Sequence, residues 1–405
     1  MMEHIHGGVC AAKGFKASGV HCGIRKNRTK RDLSMIYSEV PASAAAVYTQ
    51  NLVKGAPIYV TQRNIADGIA QLAICNSGNA NTCNADGEDV AWQMCVLAGE
   101  AAGVKPEDVI VASTGVIGQP LSITPIAEGV KPLAAALSFK GSQDAAEGIM
   151  TTDTRLKEVA VSFDVDAVTC RLGGIAKGSG MIHPNLATML VFLTCDAAIS
   201  PAMLRKALSA DVKDTFNMVS VDGDTSTNDM VSIMANGMAG NKLIDCEGPA
   251  FDAFCAALNE VTSTLCRMIA KDGEGASRLL TCAVTGGKTV KDAKLCAKSV
   301  VCSSLFKSAV FGADANWGRV LCALGYSGAE LDVKAVDVTF RSVAGSITVC
   351  KMGASVDFSE DDAKQILLQD EIEVLITLRD GTASATAWGC DLTYDYVKIN
   401  GDYRT

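Results

Sequence analysis

The stretch Gly174-Ile-Ala-Lys-Gly-Ser-Gly-Met-Ile-His-Pro-Asn-Leu-Ala-Thr-Met-Leu190 joins a glycine-rich segment to an apolar one and decides how the chain is organised. The apolar run 189–193 predicts a buried strand. A small residue, Ala187, precedes Thr188 at the entry to that strand, which suits self-cleavage by attack of the threonine hydroxyl on the preceding carbonyl. The freed α-amine has an unperturbed pKa near ~8, so it would deprotonate its own hydroxyl near neutral pH without a histidine.

The residues before this bond indicate how it would be held. Gly178 and Gly180 allow the close, distorted backbone path that an acyl shift needs. Pro184 biases His183 away from helical conformation. Lys177, among the glycines, is placed to hold a substrate carboxylate or to favour deprotonation of the attacking group. A phosphate-binding loop is not predicted, because the lysine precedes the glycine that it should follow.

Composition bounds the class of protein. The chain has 405 residues, 48% of them apolar and 20% charged, which indicates a globular protein with a large core. A net charge of −9 argues against nucleic acid as the main partner. The first fifteen residues contain no secretory signal, and no stretch is apolar for long enough to predict a membrane span.

The sixteen cysteines are scattered and form no Cys-x-x-Cys pair. Several lie in apolar periodic segments, among them Cys255, Cys266, Cys322 and Cys350, and these are interpreted as reduced core residues. No ligand cluster has the spacing of a zinc site, so no metal is predicted.

Strand-like and helix-like segments alternate, which predicts a mixed α/β fold of stacked sheets covered by helices. The predicted helices are 88–102, 125 to about 138, 249–271 and 292–306. The predicted strands are 72–75, 109–112, 279–284, 333–340, 346–349, 373–378, 384–387 and a strand-like segment at 392–399.

Residues 178–190 resemble the processing site of the ornithine acetyltransferase family, also called glutamate N-acetyltransferase. The similarity extends over nearly the whole chain, from Lys13-Gly-Phe-Lys-Ala-Ser-Gly19 to the end at Thr405. It implies autocatalytic cleavage into an α chain, 1–187, and a β chain, 188–405, that stay intertwined and assemble as an α2β2 heterotetramer. The α chain would carry the oxyanion hole and processing loop, and the β chain the N-terminal threonine.

The resemblance also implies a reaction. Thr188 would take the acetyl group of N2-acetyl-L-ornithine and pass it to L-glutamate, giving L-ornithine and N-acetyl-L-glutamate in the cyclic route of arginine biosynthesis in the cytoplasm. No metal or organic cofactor is expected. The sequence leaves open whether acetyl-CoA serves as a second acetyl donor.

Site residues follow from motifs that match this family. Thr114 and Gly115 come after a predicted strand, where a hydroxyl and a glycine N–H suit an oxyanion hole, and the family assigns them that role. Glu274 lies between glycines that would let it enter a cleft and meet a substrate ammonium. The resemblance places the following residues on substrate: Thr151, Lys177, Thr188, Glu274, Asn400 and Thr405.

Some readings compete with this one. A self-cleaving N-terminal-nucleophile aminopeptidase or amidase uses similar chemistry with water as the acceptor, and a binding protein would leave Thr188 inert. Asp222 and Asp224 resemble part of a calcium loop, but the glycine and glutamate of that motif are missing, so a network of Asx turns is expected. Three positions depart from the family pattern, His183, Ala315 and Gly401.

Overall fold

The computed structural model describes residues 2–183 and 189–402, and within them sixteen strands and eleven α-helices. The strands form two sheets with helices packed against them, which confirms the predicted mixed α/β fold. In this part of the chain, no helix combines the length and the hydrophobicity that crossing a lipid bilayer requires.

The bounds of the elements place the predicted segments. The strands are β1 Glu3–Ile5, β2 Phe15–Val20, β3 Leu33–Tyr48, β4 Ile69–Asn79, β5 Val109–Val116, β6 Lys157–Val165, β7 Val168–Lys177, β8 Leu190–Cys195, β9 Val219–Ser220, β10 Met230–Ala235, β11 Leu279–Gly287, β12 Asp337–Ser342, β13 Gly345–Lys351, β14 Ala354–Ser355, β15 Glu371–Thr377 and β16 Ala383–Cys390. The helices are α1 Ala56–Asn64, α2 Gly87–Ala102, α3 Thr124–Ala135, α4 Ser142–Ile149, α5 Pro201–Asp211, α6 Pro249–Lys271, α7 Val290–Cys302, α8 Ser304–Phe311, α9 Trp317–Gly325, α10 Glu360–Leu367 and α11 Tyr394–Asp402.

The larger sheet combines strands from both sides of residues 184–188. Its strand order is β1-β6-β7-β8-β10-β3-β4-β5, with β2 also paired to the long β3. Strand β8 is antiparallel to β7 and parallel to β10, and β10 in turn is antiparallel to β3. Strands that precede and follow the predicted cleavage point therefore hydrogen-bond directly to each other.

Burial on both faces explains the apolar run that predicts β8. Val191 and Leu193 face a core shared with α6, whereas Leu190 and Phe192 face the core on the opposite side of the sheet. A strand covered on both faces has no polar side, so its sequence is continuously apolar rather than alternating. The strand order of the smaller sheet is β14-β13-β12-β15-β11-β16-β9, and α6 packs between the two sheets.

Three predicted elements need correction. The strand predicted at 333–340 begins with a 3-10 helix, Val333–Ala335, and β12 itself starts only at Asp337. The helix predicted at 292–306 is two helices, because the hydroxyl of Ser303 accepts a hydrogen bond from the amide of Phe306 and starts α8. The segment predicted as strand-like at 392–399 is helical, in α11. Its Tyr396 amide packs so closely on Gly275 that a Cβ there would lie 2.5 Å away, and the helix lies over the pocket described below. The alternation of apolar residues favours a strand locally, but tertiary packing makes this segment a helix.

The cysteines are all free thiols, but they are not all core residues. Cys266 and Cys350 are buried as predicted, and Cys255 is half-buried. Cys322 is exposed, because it lies on the outer face of the short α9.

The interleaved strands lead to a prediction about the cut protein. A chain cut within residues 184–188 should remain one particle, because separating the fragments would break the β7–β8 and β10–β3 ladders and expose both cores. The two fragments should co-elute in native size-exclusion chromatography and separate only in concentrated guanidinium chloride. Elution of the fragments as separate folded species would contradict this.

Candidate functional site

One pocket collects most of the residues that the sequence singles out. It holds about 700 Å³, counting its mouth, and opens between the end of β5, the end of β7, the loop after α6, and α11. Six predicted residues line it: Thr114, Gly115, Thr151, Lys177, Glu274 and Asn400. Ala187, Thr188 and Thr405 lie outside the described residues. Met189, which follows Thr188 in the sequence, also lines the pocket.

The predicted oxyanion pair lies within β5 rather than after it. Gly115 has a φ of +135°, and a Cβ there would lie 2.3 Å from the carbonyl carbon of Gly78 in the neighbouring strand. That strand is irregular at Gly78 and Asn79, so the two backbones come together where only glycine fits. Thr114 is buried beside it.

A buried amide holds this part of β5 in place. The side-chain nitrogen of Asn228 donates to the carbonyl oxygens of Ser113, at 2.9 Å, and Ala80, at 2.5 Å. Its oxygen accepts from the hydroxyls of Thr82 and Thr227, each at 2.6 Å. Asn228 comes from the segment before β10, so the predicted β chain fixes the backbone of the predicted α chain next to the oxyanion pair.

A buried lysine connects the loops that carry three of the predicted substrate residues. Lys157 on β6 is 1% exposed, and its ammonium donates to Asp153 at 2.7 Å and to Asp272 at 2.5 Å. Asp153 also accepts from the amide of Thr151, at 3.0 Å, and from that of Gly178, at 2.7 Å. The carboxylate thereby ties Thr151 to the residue after Lys177.

The second carboxylate anchors the loop of Glu274. Asp272 accepts from the amide of Thr154 at 3.1 Å, and its carbonyl accepts from the hydroxyl of Ser179 at 2.7 Å. Glu274 accepts from the side chain of Asn400 at 2.8 Å. Gly180 leaves the space for Glu274, because a Cβ at Gly180 would lie 2.3 Å from its carboxylate. The role of Gly180 is therefore to make room for a side chain.

The segment that leads to the predicted cleavage point is held by the Ser220–Asp229 motif. Asp222 accepts from the amides of Met181, at 2.6 Å, and Ile182, at 2.9 Å, and Met181 takes a left-handed φ of +57°. The hydroxyl of Thr225 donates to the carbonyl of His183 at 2.7 Å. Within the motif, Asp222 also accepts from the amide of Asp224 at 3.2 Å, which is an Asx turn as predicted. The motif thus positions the segment before residue 184.

Two of the three departures from the family pattern, His183 and Ala315, are packed residues, whereas Gly401 is exposed. Burial, assisted by the charge of Lys298, lowers the pKa of His183 to about 4, so its imidazole is neutral near pH 7. Its Nδ1 lies 3.1 Å from the Ser220 hydroxyl. Ala315 is buried in the turn before α9. Neither residue lines the pocket.

The charges in the pocket suit a zwitterionic ligand. Burial opposes ionisation of Asp153, but the ammoniums of Lys157 and Lys177 hold the pKa of that carboxyl below its usual range. In the part of the chain that the structure describes, Lys177 has no ion-pair partner, so its ammonium is available for an anion. Glu274 lies across the same pocket. Residues 2–183 and 189–402 contain no group of three or more histidine, cysteine or acidic side chains arranged to hold a metal ion.

Comparison with known proteins places the chain in a family. The ArgJ family model matches residues 16–405. The arginine biosynthesis bifunctional protein ArgJ of Caldanaerobacter subterraneus subsp. tengcongensis is 49% identical, and so is that of Symbiobacterium thermophilum, with all of each chain covered. The chain belongs to the ArgJ family. The ArgJ protein of Bacillus halodurans, known from a crystal structure, is 44% identical in sequence to this chain. The structural alignment covers 53% of this chain and 98% of that one, with a TM-score of 0.50.

Membership in the ArgJ family confirms the predicted activity class. The chain is an acyltransferase of arginine biosynthesis, of the ornithine acetyltransferase or glutamate N-acetyltransferase type. The roles assigned to individual residues remain predictions, although six of them share one pocket.

Sequence reasoning missed several residues of the ArgJ site. Thr152, Ser226, Asn228 and Asp229 line the pocket, and Lys157 organises its loops. A signal for Lys157 was present: it shares the alternation of Val159, Val161 and Phe163 on β6 and so falls on the apolar face. A lysine in that phase indicates a buried, paired ammonium.

Replacing the buried lysine should be costly. Lys157→Met would leave two neighbouring buried carboxylates without their cation, and breaking such a pair costs about 3–5 kcal/mol of unfolding free energy. Urea denaturation measures the loss. The control is Lys288→Met, which removes an exposed pair with Glu330 and should leave the free energy of unfolding nearly unchanged. Equal, small losses in both variants would show that Lys157 does not hold these loops.

Proposed function

We propose that this chain transfers the acetyl group of N2-acetyl-L-ornithine to L-glutamate through an acetyl ester on Thr188. The observation that carries the proposal is the convergence in one pocket of Thr114 and Gly115 with Lys177 and Glu274. The first pair suits a developing oxyanion, and the second pair supplies opposite charges for the two ends of an amino acid.

The mechanism begins with the threonine. Self-cleavage before Thr188 creates an α-amine that takes the proton of its own hydroxyl as the oxygen attacks the acetyl carbonyl. The Thr114 hydroxyl and the Gly115 N–H stabilise the tetrahedral oxyanion, and ornithine leaves with the transferred proton. The α-amine of glutamate then attacks the acetyl ester and leaves as N-acetylglutamate. The backbone of Gly115 is constrained by its close approach to Gly78. The two oxyanion donors therefore need not reorganise during the reaction.

Charge complementarity supports this pair of substrates. Acetylornithine carries an α-carboxylate, which Lys177 would bind, and a distal ammonium, which Glu274 would bind. Glutamate has the same α-carboxylate but a distal carboxylate, so Asn400, already hydrogen-bonded to Glu274, is a suitable amide donor beside it. Thr151 and Thr405 are the remaining proposed substrate contacts. These residues supply binding and electrostatics without a metal or organic cofactor.

Three further features of the enzyme belong to the same proposal. Acetyl-CoA is a candidate second acetyl donor, since the two full-length relatives are named bifunctional. The α chain, 1–187, and the β chain, 188–405, would form an α2β2 heterotetramer, and strand pairing across residues 184–188 supports their staying together. The site of action would be the cytoplasm.

The nucleophile is tested by Thr188→Ala. The wild-type protein should run as two fragments on a denaturing gel, the second beginning at Thr188, and the variant as one inactive chain. The wild-type enzyme should release ornithine from acetylornithine slowly alone and rapidly with glutamate, as N-acetylglutamate forms. Release that does not depend on glutamate would indicate a hydrolase, and an active Thr188→Ala would remove the threonine from the mechanism. Glutamate with acetyl-CoA tests the second donor.

The oxyanion donor is tested by Thr114→Ala. Loss of one such donor lowers kcat by about 10²-fold or more, while KM changes little because the charge exists only in the transition state. Thr281→Ala is the matched control, since Thr281 is equally buried, on β11 of the smaller sheet, and should keep wild-type kinetics. A raised KM with normal kcat would reassign Thr114 to substrate positioning.

A further inference from the structure

A buried carboxyl group in the pocket has an unpaired oxygen. Asp229 is 3% exposed and lines the pocket, and its Oδ2 has no hydrogen-bond partner within the described residues. Nearly all buried polar atoms are paired, because leaving one without a partner costs its full desolvation. It is also the sole buried side-chain atom of its kind in residues 2–183 and 189–402. The Oδ2 atom of Asp229 can therefore accept a hydrogen bond from a donor, or bind a cation, that the described side chains do not supply.

The position of Asp229 in the sheet relates it to the start of β8. Met230 is paired with Leu190 in parallel register, and the amide of Met230 donates to the carbonyl of Met189 at 2.9 Å. Asp229 comes one residue before Met230, just as Met189 comes one residue before Leu190. The amide of Thr49 donates to the Asp229 carbonyl at 3.0 Å, which fixes the backbone at this point. The backbone of Asp229 thus lies beside that of Met189, the residue that follows Thr188 in the chain, and both residues line the pocket.

The electrostatic surroundings of Asp229 favour the binding of one more cation. Burial raises the pKa of Asp229 well above its usual range, and a hydrogen bond with Ser226 and the ammonium of Lys177 oppose that rise. Lys177 acts from a distance, since within the described part of the chain no ion pair joins the two residues. The carboxylate form of Asp229 would be stabilised strongly by an ammonium placed at Oδ2.

We propose that Asp229 is a positioning residue that acts through the α-amine of Thr188, by accepting a hydrogen bond from the ammonium formed during acetyl transfer. The inference rests on the proposed function. When the Thr188 oxygen bonds to the acetyl carbon, the hydroxyl proton passes to the α-amine, and Asp229 Oδ2 accepts from the resulting ammonium. When the carbon–nitrogen bond to ornithine breaks, the ammonium returns that proton to the departing amine. The second half-reaction repeats these transfers with glutamate.

This arrangement follows the general logic of an activated nucleophile, in which a third group orients the base and stabilises its protonated form. Starting from the reactive, neutral amine, the ammonium forms together with the tetrahedral intermediate, so the contribution of Asp229 is to kcat. Lys177 and Asp229 then have opposite effects on the amine. The lysine favours its neutral form before attack, and the aspartate stabilises its charged form afterwards.

The test is Asp229→Asn, which keeps the shape of the side chain and removes its charge. It should be processed normally, because the free amine arises only after cleavage, and its melting temperature should stay within about 3 °C of the wild type. With acetylornithine and glutamate, kcat should fall by about 10²-fold or more while KM changes less than about threefold. Asp211→Asn is the matched control, a buried aspartate outside the pocket whose pKa is also raised by burial, and should keep normal kinetics.

The outcomes separate this inference from the proposed function. An inactive wild-type enzyme would refute the function, whereas an active wild type with an equally active Asp229→Asn would refute only the role of Asp229. An uncut variant chain, or a raised KM with unchanged kcat, would also overturn the inference, because they would assign Asp229 to processing or to substrate binding. If Asp229→Asn does not fold, Asp229→Ser, which keeps a polar atom toward Ser226, is judged by the same criteria.

Discussion

The site depends on one buried ammonium. Lys157 lies between the carboxylates of Asp153 and Asp272. Both carboxylates bind backbone amides of the loop before β6, at Thr151 and Thr154, and Asp153 also binds the amide of Gly178. Without these carboxylates, the backbone amides in the pocket wall would need water or a neighbouring strand as their hydrogen-bond acceptor. The ion pairs thus join three connecting segments into one frame, which carries Thr151, Lys177 and Glu274. A buried salt bridge of this kind adds little to the net free energy of unfolding. Its main effect is to hold its partners in a single arrangement.

The two segments on either side of residues 184–188 complete each other's functional parts. The predicted α chain supplies Thr114 and Gly115, but their strand is held by Asn228 from the predicted β chain. Conversely, Glu274 of the later segment lies on Gly180 of the earlier one. Because the site is assembled from both segments, an active pocket requires that they fold together, and the shared sheet provides for that.

Two aspartates near Lys177 differ because their partners differ. Asp153 is fully buried, yet ammoniums and amides surround it, so it is ionised. Asp229 is equally buried but has an oxygen with no partner among the described residues, so its pKa is displaced in the opposite direction. Lys177 stands within the influence of both carboxyls. Asp153 therefore has a structural role, whereas Asp229 can accept a charged partner. The surroundings of each carboxyl, rather than its residue type, determine this difference.

The sequence by itself determined the family, the activity class and the mixed α/β fold, together with six residues of the pocket. Local signals were sufficient there: the helix at Pro249–Lys271 has a regular apolar stripe, and the glycine-rich segment before Thr188 is a contiguous motif. Only the tertiary structure decided that 392–399 is helical, because docking on Gly275 outweighs local alternation. It also decided the partners of Lys157 and the unpaired oxygen of Asp229. Burial and pairing join residues far apart in the chain, and local sequence patterns carry no information about which of them meet.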